Sequence, residues 1–176
     1  MIRAIRSVRL WQIFRYTLIF LSLIMTETVL LPRVFSDPVV PDLVLCAVIA
    51  VGMAENEKTA GVCGLCAGFF LDAAGTVGVS LSPLYYMLCG YVTGVFARTL
   101  LNRNFPSYLV YMLVACVTRA GQTLLLLQFG QADCPLHLAF AEILAPEFLY
   151  TMLASPLLYL IVALPLAKEN RRELKN

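Results

Sequence analysis

Apolar positions fall into six runs that short polar stretches separate. The runs lie at about 11–31, 39–54, 59–76, 82–101, 106–128 and 146–166. None of them alternates between apolar and polar positions as a barrel strand does, so each run predicts a helix. A bilayer core about 30 Å thick is crossed by ~20 apolar residues of helix. The pattern therefore predicts an all-α integral membrane protein, a compact bundle of six transmembrane helices in a single domain over residues 1–176.

The second and third runs are the shortest, and the stretch Pro41–Ala54 has only 14 residues. A re-entrant hairpin that enters from the outer side is the alternative. It would place Glu55, Glu57 and Lys58 inside the hydrocarbon, at about 2.5–3.5 kcal/mol for each charge near the centre. Two short or broken spans, with these charges in cytoplasmic water, are therefore favoured. The apolar stretch 135–145 is too short to cross and is predicted to be an interfacial helix on the outer leaflet.

Composition agrees with the pattern of runs. The chain is 60% apolar and 14% charged, whereas a soluble domain is about 45–50% apolar and about 25% charged. These fractions exclude a soluble globular domain. They also exclude a disordered chain, which has too little apolar surface to collapse.

The basic residues indicate the orientation of the bundle. With six spans, eleven of the 13 Lys and Arg residues fall on the side that holds both termini. They are Arg3, Arg6, Arg9, Arg15, Lys58, Arg98, Arg103, Lys168, Arg171, Arg172 and Lys175. Because cytoplasmic loops collect Lys and Arg, both termini are predicted to face the cytoplasm. The basic ends are too short for nucleic acid and are interpreted as anchors to anionic lipid headgroups.

Little in the chain predicts catalysis or metal binding. Five cysteines lie inside apolar runs and are interpreted as small packing residues, since the pair Cys63 and Cys66 has no second cysteine pair or histidine nearby. Cys134 has no partner in its loop, so no disulfide is predicted, and His137 is interpreted as an interfacial residue. The phosphate-binding and zinc-protease motifs are absent. We therefore expect no catalytic residue, no metal site and no cofactor.

Small residues recur at helical spacing in two of the runs. Gly61, Gly64 and Gly68 share one face of the third run, and Gly90 and Gly94 lie four apart in the fourth. In lipid, small residues mark the faces where helices approach closely. Packing within this chain is the favoured interpretation. A face for another protein's transmembrane helix is the alternative.

Two opposite charges lie at equal depth in their runs. Asp72 is 13 residues into the third run, and Arg119 is 13 residues into the fifth. Both runs start at the cytoplasmic face, so each side chain is ~20 Å deep. Ionisable residues in spans usually face the bundle and pair, so an Asp72–Arg119 pair is predicted. Glu27, also in the outer half, either joins this pair or reaches the interface. In the alternative, Arg119 extends outward alone and Asp72 caps a broken helix.

The order of these features resembles the MreD family of rod shape-determining proteins. The residues behind this resemblance are Pro41-Asp42-Leu43, Gly61, Gly64, Gly68-Phe69-Phe70-Leu71-Asp72, Pro83-Leu84, Gly90-Tyr91-Val92-Thr93-Gly94 and Pro146-Glu147-Phe148-Leu149-Tyr150. The resemblance extends over nearly the whole chain, and it includes the length, the number of spans and the cytoplasmic position of both termini. The chain differs at Thr151, where many members have an amide side chain.

The resemblance implies a non-catalytic membrane subunit of the bacterial cell-elongation machinery. Its partners would be the single-span protein MreC, the MreB filament and the peptidoglycan synthases. The family's bundle is similar to the substrate-binding subunits of energy-coupling-factor vitamin transporters, so a small-molecule-binding subunit is the alternative. The short segment 33–40 and the weak small-residue pattern of Leu18, Ser22 and Thr26 favour the scaffold.

Overall fold

A computed structural model of the chain describes residues 2–34, 40–74, 81–99, 104–129 and 144–163, and all its regular elements over these ranges are helical. The elements are α1 (Ile2–Met25), α2 (Leu31–Val34), α3 (Leu43–Ala54), α4 (Glu57–Ala73), α5 (Ser82–Thr99), α6 (Phe105–Phe129) and α7 (Ala145–Leu158). π-helical segments at Thr26–Leu30 and Tyr159–Ala163 follow α1 and α7. The predicted all-α class is confirmed, and a helix lies on each of the six apolar runs.

Among the described residues, two helical stretches are long and apolar enough to cross a membrane, Phe14–Arg33 and Ala145–Val162. The helix at the first run begins at Ile2, well before the predicted start at residue 11. The predicted interfacial helix at 135–145 lies outside the described residues except for its last two positions.

Helix α3 is the centre of the bundle. It has only 12 residues, which at about 1.5 Å per residue gives a length of about 18 Å. Every residue from Val44 to Ala54 is buried, and α3 contacts α1, α4, α5, α6 and α7. A helix that is apolar on all sides is one that is buried on all sides. Its uniform composition therefore reflects enclosure by the other helices.

Helices α4 and α5 form a close antiparallel pair. A methyl group added at Gly68 would lie 2.6 Å from Pro83 Cα, and one at Gly94 would lie 2.6 Å from Glu57 Cα. Real Cβ atoms essentially never approach other atoms so closely. Glycine at these positions allows the two backbones to touch, as in membrane helix pairs.

The outer surface of the described helices is strongly apolar. Large side chains with half or more of their surface exposed include Phe14, Val62, Phe69, Leu84, Leu113, Val117, Leu149, Leu153 and Leu157. Leu153 on α7 is 81% exposed. Contiguous apolar surface of this kind is typical of a protein that contacts a membrane or another protein.

Candidate functional site

Two carboxylates cap the first turn of α3. Asp42 Oδ1 accepts a 2.7 Å hydrogen bond from the backbone N–H of Leu45, and Glu27 Oε2 accepts a 3.1 Å bond from the N–H of Val44. The first N–H groups of a helix have no partner within the helix, and the end of its dipole is positive there. Two acidic side chains therefore satisfy donors that burial of α3 would otherwise leave unpaired.

Asp42 also connects α3 to α5 and α7. The Tyr86 hydroxyl donates a 2.7 Å hydrogen bond to Asp42 Oδ2. The backbone N–H of Asp42 donates a 3.1 Å bond to Thr151 Oγ1, and that hydroxyl donates in turn to the carbonyl oxygen of Glu147 at 2.7 Å. Asp42, Tyr86 and Thr151 are all buried. Three helices are thus joined at one residue, α5 through the Asp42 carboxylate and α7 through the Asp42 backbone N–H.

Arg119 on α6 brings the positive charge to this cluster. Its Nε lies 3.9 Å from Asp42 Oδ2, and the Arg119 side chain is 18% exposed. The guanidinium carbon also lies 5.5 Å from the ring centroids of both Tyr85 and Tyr86. A guanidinium at this distance from an aromatic face gains a cation–π attraction. Arg119 is therefore held by one carboxylate and two aromatic rings.

A small cavity of about 20 Å³ lies beside the cluster. Its polar lining comes from Asp42, Arg119, Glu147 and Thr151. A water molecule needs at least about 10–15 Å³ and two to four polar partners. The cavity has room for one water, which would bridge polar groups separated by more than hydrogen-bond distance, as Arg119 and Asp42 are. Ligand pockets for small molecules are far larger, about 300–1,000 Å³.

The sequence-predicted site residues are only partly brought together. Arg119 lies in the cluster, and Glu27 joins it through the first turn of α3. The acidic neighbour of Arg119 is Asp42, whereas Asp72 lies in the last turn of α4. The Asp72–Arg119 pair stays a prediction. Pro41 and Asp42, which the sequence singled out as part of the motif that resembles the MreD family, are both buried at the start of α3.

Sequence reasoning missed Tyr86, Thr151 and Glu147 as members of the site. Tyr86 and Thr151 are polar residues in apolar helices, and a buried hydroxyl needs a partner. Glu147, which the sequence placed only in the family-like motif, lines the cavity together with Arg119. The signal for Thr151 was its position four residues after Glu147, about one helical turn further along a helix with few other polar residues.

A second polar cluster lies at the opposite end of α3, in the turn that leads to α4. Arg98 on α5 makes an ion pair with Glu57 at 2.7 Å and donates to the side-chain oxygen of Asn56. The Tyr16 hydroxyl donates to Glu55 Oε1. Glu55 and Glu57, which were expected to be solvated charges, therefore fasten α1 and α5 to the turn.

The remaining candidates act in packing. Gly61, Gly64, Gly68, Gly90 and Gly94 are all buried, and four of them would bring an added methyl group against the backbone of the facing helix. Cys46, Cys63, Cys66, Cys89 and Cys116 have free thiols. Within the described ranges, no three His, Cys, Asp or Glu side chains are grouped so as to hold a metal ion. Cys134 and His137 lie outside these ranges.

No family model, curated protein or solved structure matches the chain. The site at the first turn of α3 brings together side chains from α3, α5, α6 and α7. Its acceptors receive helix N–H and hydroxyl donors, and its single guanidinium faces a carboxylate and two rings. This arrangement joins helices and leaves little room for a substrate.

Proposed function

We propose that this protein is a non-catalytic scaffold subunit of the bacterial cell-elongation complex, of the MreD type. It would support cell shape and lateral peptidoglycan synthesis through helix–helix contacts. Its expected partners are a single-span MreC-like protein, the MreB filament and the peptidoglycan synthases, with anionic lipids at the basic ends.

The proposal places the helices of all six apolar runs across the bacterial cytoplasmic membrane, with both termini in the cytoplasm. It is supported by the two long apolar stretches, by the exposed Leu and Phe side chains on the outside of the bundle, and by the distribution of basic residues. The 12-residue α3 fits this arrangement because protein encloses it. When a helix does not contact lipid, its length does not need to match the thickness of the hydrocarbon core.

The proposal depends above all on the hydrogen bonds that the buried polar side chains make between helices. Asp42, Tyr86 and Thr151 are linked to one another or to helix backbone by hydrogen bonds. Catalytic groups instead need a place for substrate within hydrogen-bond reach. The cluster has a cavity of only about 20 Å³. It is built to fix helices, which is what a scaffold requires.

The alternative is a small-molecule-binding subunit of a transporter. Such a subunit needs a ligand cavity of about 300 Å³ or more. The cavity beside Arg119 is more than tenfold smaller than that value, at about 20 Å³. The polar cluster therefore lacks the cavity of such a subunit. The groove of about 870 Å³ between α1 and α4 has the volume of a ligand site but is open rather than enclosed, whereas a small-molecule site buries 70–90% or more of its ligand. We therefore favour the scaffold.

The test is depletion of the protein in a rod-shaped host, followed by complementation and affinity purification in mild detergent. We expect rounded cells on depletion, rescue by the wild-type chain, and co-purification of an MreC-like single-span protein. Arg119→Ala, which strands Asp42 in the bundle, should lose rescue, whereas Leu113→Ala on the exposed face of α6 should retain it. Normal rods after complete depletion, or tight saturable binding of a vitamin-sized molecule, would contradict the proposal.

A further inference from the structure

A long open groove runs between α1 and α4, at the end of the bundle opposite to Asp42. Its volume is about 870 Å³, which is within the range of about 300–1,000 Å³ for ligand sites. One wall is formed by Phe20 and Leu21 on α1, and the other by Val62, Cys66 and Phe70 on α4. The walls are thus apolar over several helical turns.

Charged side chains gather at one end of the groove, in the turn between α3 and α4. These residues are Glu55, Glu57, Lys58 and Arg98. Glu57 and Arg98 neutralise each other in their ion pair. Glu55 accepts the Tyr16 hydroxyl on Oε1, and Lys58 is exposed. A carboxylate and an ammonium group of opposite charge therefore both line this end of the groove.

We propose that this groove binds an amine-bearing zwitterionic phospholipid of the cytoplasmic leaflet. The lipid's ammonium group donates to Glu55, its phosphate accepts from Lys58, and an acyl chain lies between Phe20 and Val62. Paired opposite charges match a zwitterionic headgroup, because an anionic headgroup without the amine would leave Glu55 next to negative charge. The apolar walls of the groove favour the lipid's acyl chain because contact between them removes apolar surface from water.

A transmembrane helix of a partner is a poorer match for the groove. Helices associate in lipid through small residues that allow close backbone approach. The glycines of α4 are buried against α5, and the groove wall instead presents Val62 and Phe70, which are 60% and 50% exposed. Flexible acyl chains adapt to such a wall more readily than a second backbone does.

The inference rests on the membrane embedding in the proposed function but not on the elongation partners. The test is therefore native mass spectrometry of the purified protein in detergent, titrated with phosphatidylethanolamine, phosphatidylglycerol or phosphatidylcholine. We expect one phosphatidylethanolamine to be retained at detergent concentrations that remove the other two lipids. Phosphatidylcholine is a sharp comparison because its quaternary ammonium cannot donate to Glu55.

Variants separate the groove from the rest of the surface. Val62→Trp fills the groove and should abolish retention, whereas Leu113→Trp adds the same bulk on the exposed face of α6 and should not. Glu55→Gln still accepts from Tyr16, so the helix contact is kept, and it should raise the apparent Kd for phosphatidylethanolamine about tenfold, as should Lys58→Gln. Arg33→Gln is the matched charge control and should leave the Kd unchanged.

Several results would overturn the inference. They are equal retention of all three lipids, equal retention by Val62→Trp and Leu113→Trp, or loss of binding in Arg33→Gln as large as in Lys58→Gln. A photo-crosslinking residue at Cys66 that captures a protein helix in cells, rather than lipid, would also overturn it. Co-purification of an elongation partner is measured separately, so failure of lipid binding is distinguishable from failure of the scaffold function.

Discussion

The Tyr86 hydroxyl donates a 2.7 Å hydrogen bond to the Asp42 carboxylate, and this contact ties the first turn of α3 to α5. Tyr86 has no exposed surface and Asp42 is only 4% exposed. Water has little access to either group, so loss of one partner leaves the other without a substitute. This hydrogen bond therefore helps to fix the position of the central helix α3 relative to α5.

Tyr86→Phe should destabilise the bundle by about 1–3 kcal/mol, the cost of leaving a buried acceptor without its donor. The measurement is thermal unfolding of the purified protein in detergent. Tyr91→Phe removes an exposed hydroxyl from the same helix and should change the midpoint little. Equal midpoints for Tyr86→Phe and wild type would mean that the hydrogen bond contributes nothing.

Arg119→Ala and Asp42→Ala should each lower the amount of folded protein in the membrane. Breaking a buried pair by removing one partner costs about 3–5 kcal/mol because it strands the other charge. The double variant should therefore lose less than the sum of the two. The same cycle for Arg119 and Asp72 should show a smaller coupling energy, since Asp42 is the acid at 3.9 Å. A coupling energy that is larger for Arg119 and Asp72 than for Arg119 and Asp42 would instead support the Asp72–Arg119 pair that their equal depth predicts.

The helices themselves were largely predictable from the sequence. The six apolar runs correspond to observed helices, and the predicted start of the fourth run at residue 82 agrees with α5 at Ser82–Thr99. Small residues at helical spacing indicated close contact, and Gly68 and Gly94 do lie against the facing helix. These features are local, because periodicity and small side chains act within one helix or one pair of helices.

The polar site was less predictable because it depends on contacts between residues far apart in the chain. Asp42 and Thr151 meet across 109 positions. Asp72 and Arg119 are charges at equal depth within their apolar runs, whereas Asp42 lies near the start of its run, where depth predicts no partner. An N-cap carboxylate has two oxygens, and only one is needed for the cap. The second oxygen is the one that reaches Tyr86, and no periodic signal reports it.

Gly90→Ala and Gly94→Ala should destabilise the α4–α5 pair. An added methyl group at Gly90 would lie 2.6 Å from the carbonyl oxygen of Ala60, and overpacking of this kind costs about 1–3 kcal/mol. Gly121→Ala on α6 is the matched control, since nothing lies within 4 Å of its added methyl group. In a helix this control should be neutral or stabilising by up to about 1 kcal/mol. Thermal unfolding in detergent distinguishes the three variants, and similar midpoints for all would contradict close packing.

Cysteine labelling should place the two ends of the bundle on opposite sides of the membrane. In a background without native cysteines, Asn56→Cys and Asn104→Cys should react with an impermeant maleimide only after the cytoplasm is opened. Arg33→Cys and Leu81→Cys should react in intact cells. All four positions are exposed. Labelling of Asn56→Cys from outside would contradict the six-span topology and favour the re-entrant hairpin.

Thr151→Val should destabilise the protein although it keeps the shape of the side chain. The Thr151 hydroxyl is the acceptor for the backbone N–H of Asp42, and Thr151 is 1% exposed. Valine removes the acceptor of that buried N–H, at a cost of about 1–3 kcal/mol. Thr151→Ser keeps the hydroxyl and should retain most of the stability.

Thr99→Val is the matched control for Thr151→Val. Its hydroxyl also donates to a carbonyl of its own helix, at 2.9 Å from Val95 O, but the residue is exposed. An exposed carbonyl finds another partner, so we expect a change of less than about 0.5 kcal/mol. Unfolding in detergent should therefore rank Thr99→Val and Thr151→Ser near wild type and Thr151→Val clearly below. If Thr151→Ser falls as far as Thr151→Val, the methyl group and not the hydroxyl holds α7 against α3, and the hydrogen bond to Asp42 is not the cause.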